Sequence, residues 1–95
     1  MSVAYIGESQ AKPDQAEKLR DFLLTVVVPA VRASHGCQSC TLVQSEADPS
    51  RFTVVEIWVS VEAHRASVKN ISPESIAAFM QLVATAPRGG YHHVL

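Results

Sequence analysis

The stretch from Arg51 to Val59 limits the folds open to this 95-residue chain more than any other. In an extended backbone alternate side chains point to opposite faces. One face then carries Phe52, Val54, Glu56 and Trp58, and the other carries Thr53, Val55, Ile57 and Val59. Both are largely apolar, so this strand must be covered on both sides. A chain of this length has room for one domain, residues 1–95, and one core.

The surrounding elements say what covers the first face. Residues 3–9 read as a strand with Val3, Tyr5 and Ile6 as β-formers. Pro13-Asp14 opens a helix in which Asp14 is expected to cap and Glu17 to reciprocate. Ala16, Leu19, Leu23, Val26, Ala30 and Ala33 follow at spacings of three and four, one apolar stripe widened by Phe22 and Val27. Pro29 removes a backbone donor and crowds the Thr25 carbonyl, which predicts a kink or an early end. Gly36 supplies a left-handed stop. Residues 37–45 and 51–59 are two strands joined by Ala47-Asp48-Pro49-Ser50. Ser60 caps a second helix running to about Asn70. Ser72-Pro73-Glu74 starts a third helix whose buried stripe is Ile76, Phe79, Met80 and Val83. Pro87 and Gly89-Gly90 end it, and Tyr91–Leu95 form a closing strand.

The order β-α-β-β-α(α)-β is the split βαβ arrangement of a ferredoxin-like α+β fold, an antiparallel four-stranded sheet with helices on one face. The face bearing Val55, Ile57 and Val59 is then left open in a monomer. Packing two such sheets together would bury it, so the pattern predicts a homodimer through the sheet face. Composition agrees: apolar residues make up 47% of the chain and charged residues only 18%.

The formal net charge is -1, from 8 basic and 9 acidic residues without a basic cluster, so neither nucleic acid nor an anionic membrane is an expected partner. The apolar run from Phe22 to Val31 is too short to span a bilayer and is broken by Thr25 and Pro29. The start of the chain has neither the charged nor the apolar region of a signal peptide. Two cysteines in such a chain point to a reducing, cytoplasmic setting.

Gly36-Cys37, the strand through Gln44, Asp48-Pro49-Ser50-Arg51-Phe52, Glu56-Ile57-Trp58 and Glu62-Ala63-His64 occur in that order. This ordered combination resembles the antibiotic biosynthesis monooxygenase family. Departures are Cys40, where an aromatic is usual, and a short step from Trp58 to His64. The resemblance implies a dimeric α+β barrel with an apolar cleft between helices and sheet. It further implies cofactor-independent oxygenation of a phenolic or quinol-type aromatic substrate. Other members degrade haem or process small signalling molecules, and many have no known activity, so the likeness constrains function weakly.

Three side chains are candidates for the chemistry. Glu56 on an apolar face would have a raised pKa and could accept a phenolic proton, although a buried carboxylate is more often paired with Arg or Lys or bonded to backbone. Trp58 could orient an aromatic ring, and the structural alternative is a core anchor. His64 could act as a base or ligate metal or haem, whereas a lone His at a helix start is more often partly exposed. Phe22, Phe79 and Met80 are the candidate apolar walls.

No cofactor or metal is expected. Haem degradation would want, by the resemblance, an Asn on the first strand, and the chain's single Asn is Asn70. In regular strand geometry Cys37 and Cys40, three apart, point to opposite faces, as do His92 and His93. A structural zinc would also need a second ligand pair. The alternative function is a non-catalytic dimeric module that holds a hydrophobic small molecule, and a cleft without convergent polar groups would favour it.

Overall fold

A computed structural model describes residues 2–95; Met1, the first residue of the expected domain, lies outside them. The elements are β1 (Val3–Gln10), α1 (Ala16–Phe22), a π-helical turn (Leu23–Val27), α2 (Val28–Arg32), β2 (Cys37–Gln44), β3 (Arg51–Trp58), α3 (Val61–Lys69), α4 (Pro73–Leu82) and β4 (Arg88–His93). The four strands form one antiparallel sheet in the order β2-β3-β1-β4. This is the ferredoxin-like α+β fold. Among the described residues no helix is long and apolar enough to cross a membrane.

The sheet register decides which side chains meet. Val3, Tyr5, Gly7 and Ser9 of β1 lie opposite Trp58, Glu56, Val54 and Phe52 of β3, so all eight share the helix-covered face. Tyr91 of β4 joins them opposite Tyr5. The other face carries Ile6, Val55 and Ile57, half-buried, with Val43 and Val59 exposed.

The helix-covered side is buried at both ends. At one end Leu19 of α1, Leu23 of the π turn, Phe52 of β3, Ala11 and Val83 form the apolar core. Backbone bonds from Lys12 N to Leu82 O, 2.9 Å, and from Ala84 N to Gln10 O, 2.7 Å, tie the end of α4 to the end of β1 there. At the other end lie Trp58, Glu56 and His64, all buried. Phe52 and Trp58 are separated by six residues of strand, on the order of 20 Å.

Local signals behave as the sequence suggests in several places. Ser60 Oγ accepts from Ala63 N at 3.1 Å to start α3, and Ser72 Oγ accepts from Ser75 N at 3.1 Å to start α4 with Pro73 in its first turn. Gly36 sits at φ 86, where a Cβ would come within 2.7 Å of Ala63 Cβ, so both conformation and space require glycine.

Other expectations need correction. Asp14 does not cap α1: it adopts φ 63 in a turn closed by Gln15 N on Lys12 O, and the helix starts two residues later at Ala16. Of the two outcomes expected at Pro29, the early end does not occur. The preceding turn widens so that Val28 N–H reaches the Leu23 carbonyl, and the helix continues to Arg32. An N–H is therefore not needed at Pro29 for continuity. The stripe of α4 is not buried along its length: Val83 is, whereas Ile76, at the cavity, and Met80, turned outward, are exposed. The last strand starts earlier than Tyr91, at Arg88, and stops at His93 because its β1 partners run out at Val3.

The cysteines also differ from expectation. A β-bulge between Cys37 and Ser39 leaves one residue unpaired, so Cys37 lies opposite Trp58 and Cys40 opposite Glu56, on the same face. Burial pushes the Cys40 thiol up to about 11, the character of an inert core cysteine. His92 and His93, in contrast, do lie on opposite faces, opposite Ala4 and Val3.

Candidate functional site

Between the two buried ends the helices stand off the sheet and enclose a cavity of about 600 Å³, a size that holds a drug-sized organic molecule. Phe22, Leu23, Val26 and Val27 line one side, supplied by the end of α1 and the π turn. Phe79 of α4 also lines it, its ring stacked near that of Phe22 at 6.3 Å. The widened turn thus lets one helix serve both the core, through Leu23, and the cavity wall. Val68, Ile71 and Ile76 both line the cavity and are exposed, so its mouth is apolar. Glu56, His64 and Tyr5 form the polar patch on the sheet side.

Glu56 is only 5% exposed. Being two residues from Trp58 on one strand, it points the same way, and its Oε1 accepts a hydrogen bond from Trp58 Nε1 at 2.9 Å. No Lys or Arg pairs with it among the described residues, contrary to the commoner expectation for a buried carboxylate. Burial pushes its pKa above the ordinary 4.5, and the Trp58 N–H, which favours the charged form, pulls partly back.

His64 is 7% exposed and is the buried residue of α3, not a surface group. The Ser60 cap sets where the helix begins, and this in turn drives the fourth helical position into the sheet. Its Nδ1 shares a hydrogen bond of 2.7 Å with the Tyr91 hydroxyl, while Nε2 lies 3.8 Å from Glu56 Oε1. Tyr5 stacks on the imidazole with ring centres 4.0 Å apart, and Trp58 and Tyr91 present their edges at 5.4 and 5.3 Å. Burial first, then the Arg65 charge, push its pKa below 6.5, so the ring is neutral at neutral pH. The site therefore holds a carboxyl and an imidazole side by side, both destabilised as ions and poised for proton transfer.

The structure brings Glu56 and His64 together on the cavity, with Phe22 and Phe79 on its walls. Trp58 and Met80 are placed elsewhere. Trp58 is 0% exposed and does not line the cavity; it packs behind Glu56 as a hydrogen-bond donor and not as a stacking platform. Met80 is 45% exposed, one residue round the helix from Phe79 and therefore turned to the outside. Tyr5 and Tyr91 are additions that the sequence reading did not include. Their strand positions gave no cue, because only the cross-strand register puts them opposite one another and Tyr5 beside Glu56.

This fold and cleft define an α+β domain whose pocket lies between one sheet face and its helices. The profile of the antibiotic biosynthesis monooxygenase family matches residues 2–82, and the chain belongs to that family. No curated protein matches it in sequence. Solved structures with the same fold include Rv0793 from Mycobacterium tuberculosis, 23% identical, with a TM-score of 0.80 over 100% of this chain and 96% of that one. PA3566 from Pseudomonas aeruginosa is 23% identical with a TM-score of 0.78, covering 99% of this chain and 94% of its own. A mutant of SnoaB, a cofactor-independent oxygenase from Streptomyces nogalater, is 14% identical with a TM-score of 0.80, covering 98% of this chain and 92% of that one.

Proposed function

We propose that this protein is a cofactor-independent monooxygenase acting on a phenolic or quinol-type aromatic molecule in the helix–sheet cavity. The observation that carries the reading is the Glu56–His64 pair, buried and not paired with any Lys or Arg among the described residues, on the sheet side of a mostly apolar cavity. Family membership and the likeness to SnoaB support it. The non-catalytic alternative calls for a cleft without convergent polar groups, and this pair weighs against it. His64 Nε2 faces a carboxylate, an orientation that supports proton transfer over ligation of haem iron.

In this mechanism Glu56, its proton affinity raised by burial, takes the proton of the bound phenol or enol. His64 sits beside it to share that proton. The resulting anion is electron-rich enough to reduce O2 in a pocket that excludes water. Overall, a methylene carbon becomes a carbonyl. One oxygen atom stays on carbon and the other leaves as water with the two hydrogens, so no external reductant enters. Oxygen uptake with a panel of anthrones and quinols tests the assignment. Consumption that is lost in His64→Ala and Glu56→Gln is expected, and uptake unchanged in both would sink these roles.

The active form in this proposal is a homodimer joined through the open sheet face. Ile6, Val55 and Ile57 at its centre and exposed Val43 and Val59 around them make that face apolar. A charge in the middle of a buried interface is costly. Gel filtration at micromolar concentration is expected to give a dimer for the native chain and a monomer for Ile57→Asp. A native monomer would contradict the proposal.

A further inference from the structure

We infer that Tyr5 is the residue that holds the ligand's oxygen, donating its phenolic hydrogen to the atom on which negative charge gathers when the ligand loses its proton. The inference rests on the aromatic-ligand reading above and adds to it a residue and a charge preference.

Three independent features place Tyr5 in that role. Its position in the sheet comes first: Tyr5 is directly opposite Glu56 in the β1–β3 ladder, on the helix-covered face, and lines the cavity. Both side chains line the same cavity, Glu56 from the β3 side and the Tyr5 hydroxyl over Gly89 on the β4 side, so one ligand lying across the sheet can touch both. The second feature is that the ring is held while its hydroxyl is not. The ring is stacked on His64 at 4.0 Å and rests over the cross-strand glycine pair Gly7 and Gly89. A Cβ on Gly89 would lie 1.8 Å from the Tyr5 hydroxyl, so the bare backbone there reserves the hydroxyl's place. The hydroxyl nevertheless has no hydrogen-bond partner among the described residues and is not a buried orphan, so it remains open to what enters.

The third feature is chemical complementarity. The groups facing the Tyr5 ring are Glu56 from β3, Tyr91 from β4 and His64 from α3, with Arg65 beyond over the Tyr91 ring. Burial, then the nearby Glu56 and Tyr91, hold the Tyr5 hydroxyl in its protonated form. It is therefore a donor and not a base, and complements the acceptor Glu56. One group removes a proton while its neighbour stabilises the charge left behind, the logic of an oxyanion site.

The test uses a hydroxyanthrone and its O-methyl ether, titrated into the protein with the ligand's absorption spectrum recorded. The native chain is expected to bind the hydroxy compound at least about tenfold more tightly than the ether, and to shift the bound compound toward its coloured anion. Tyr5→Phe keeps the ring and its stack on His64, and is expected to shrink that preference to within about threefold and to return the spectrum to the neutral form. Gly89→Ala, which displaces the hydroxyl without removing it, is expected to do the same. Should it fail to fold, Tyr5→Phe decides alone, with its melting temperature as the control. A preference and spectrum unchanged by Tyr5→Phe would overturn the role of Tyr5 alone. Failure of both compounds to bind the native chain would instead overturn the aromatic-ligand reading together with this inference.

Discussion

Replacing Glu56 by Gln is expected to slow oxygen consumption with a responsive anthrone by about a hundredfold or more, the scale of a lost general base. The substitution is chosen because it changes little else. Gln keeps an Oε1 that can accept from Trp58 Nε1, and the volume is nearly the same. The native rate should rise with pH as Glu56 loses its proton, with an inflection above the ordinary carboxylate value of 4.5, since burial raises it. In the variant that limb should vanish. A residual rate with the same limb would assign the base elsewhere.

The same variant separates two opposing contributions to stability. The folded pKa of Glu56 lies above its unfolded value, so its contribution is fully present in acid below the unfolded value and is lost as pH rises through the folded one. The folded pKa of His64 lies below 6.5, so its contribution is present above 6.5 and is lost as pH falls through the folded value. On acidification the two partly cancel in the native chain. Thermal melts between about pH 4 and 8 should therefore show Glu56→Gln at least as stable as the native chain at neutral pH, with a steeper loss in acid.

Trp58→Ala is expected to be the most destabilising single substitution of the site, by about 3–5 kcal/mol. Trp58 is fully buried, and its removal leaves a hole behind Glu56 in addition to the lost apolar contact. A loss of this size is a large fraction of the roughly 5–15 kcal/mol that holds a domain together, so urea melts should find the variant partly unfolded at 37 °C. Trp58→Phe distinguishes packing from electrostatics. It fills most of the hole but deletes the N–H that favours the charged carboxylate, so Glu56 should titrate at a higher pH. The pH–rate limb should move up accordingly with a much smaller change in stability. A limb that does not move would mean that the Trp58 hydrogen bond has no influence on the base.

What could be read in advance, and what could not, divides by the range of the interaction. Gly36 and the serine caps Ser60 and Ser72 lie where the sequence places them, because each is satisfied by backbone within a turn of itself. Asp14 shows the limit of that reading: it has the right chemistry for a cap but sits in a left-handed turn, and α1 starts beyond it. Pro29 was recognisable as a disturbance, but its form was not. A kink, an early end and a π turn all relieve the same missing donor, and the structure takes the π turn. The bulge after Cys37 is invisible for a related reason: one unpaired residue reverses the parity of everything before it, and nothing local marks it.

By itself the sequence determined the element order, the single sheet with helices on one face, and the placing of Glu56 and Trp58 on the same side of β3. Alternation and helical spacing are local and periodic, so one chain displays them without its partners. Only the tertiary structure decided that Arg51–Val59 has one face over a cavity, that His64 is buried against Glu56, and that Trp58 stands behind Glu56 while Tyr5 lines the cavity and Tyr91 holds His64. These depend on cross-strand register and on how far the helices stand from the sheet. Such long-range distances are set when the whole core packs, and no short stretch of the chain encodes them alone.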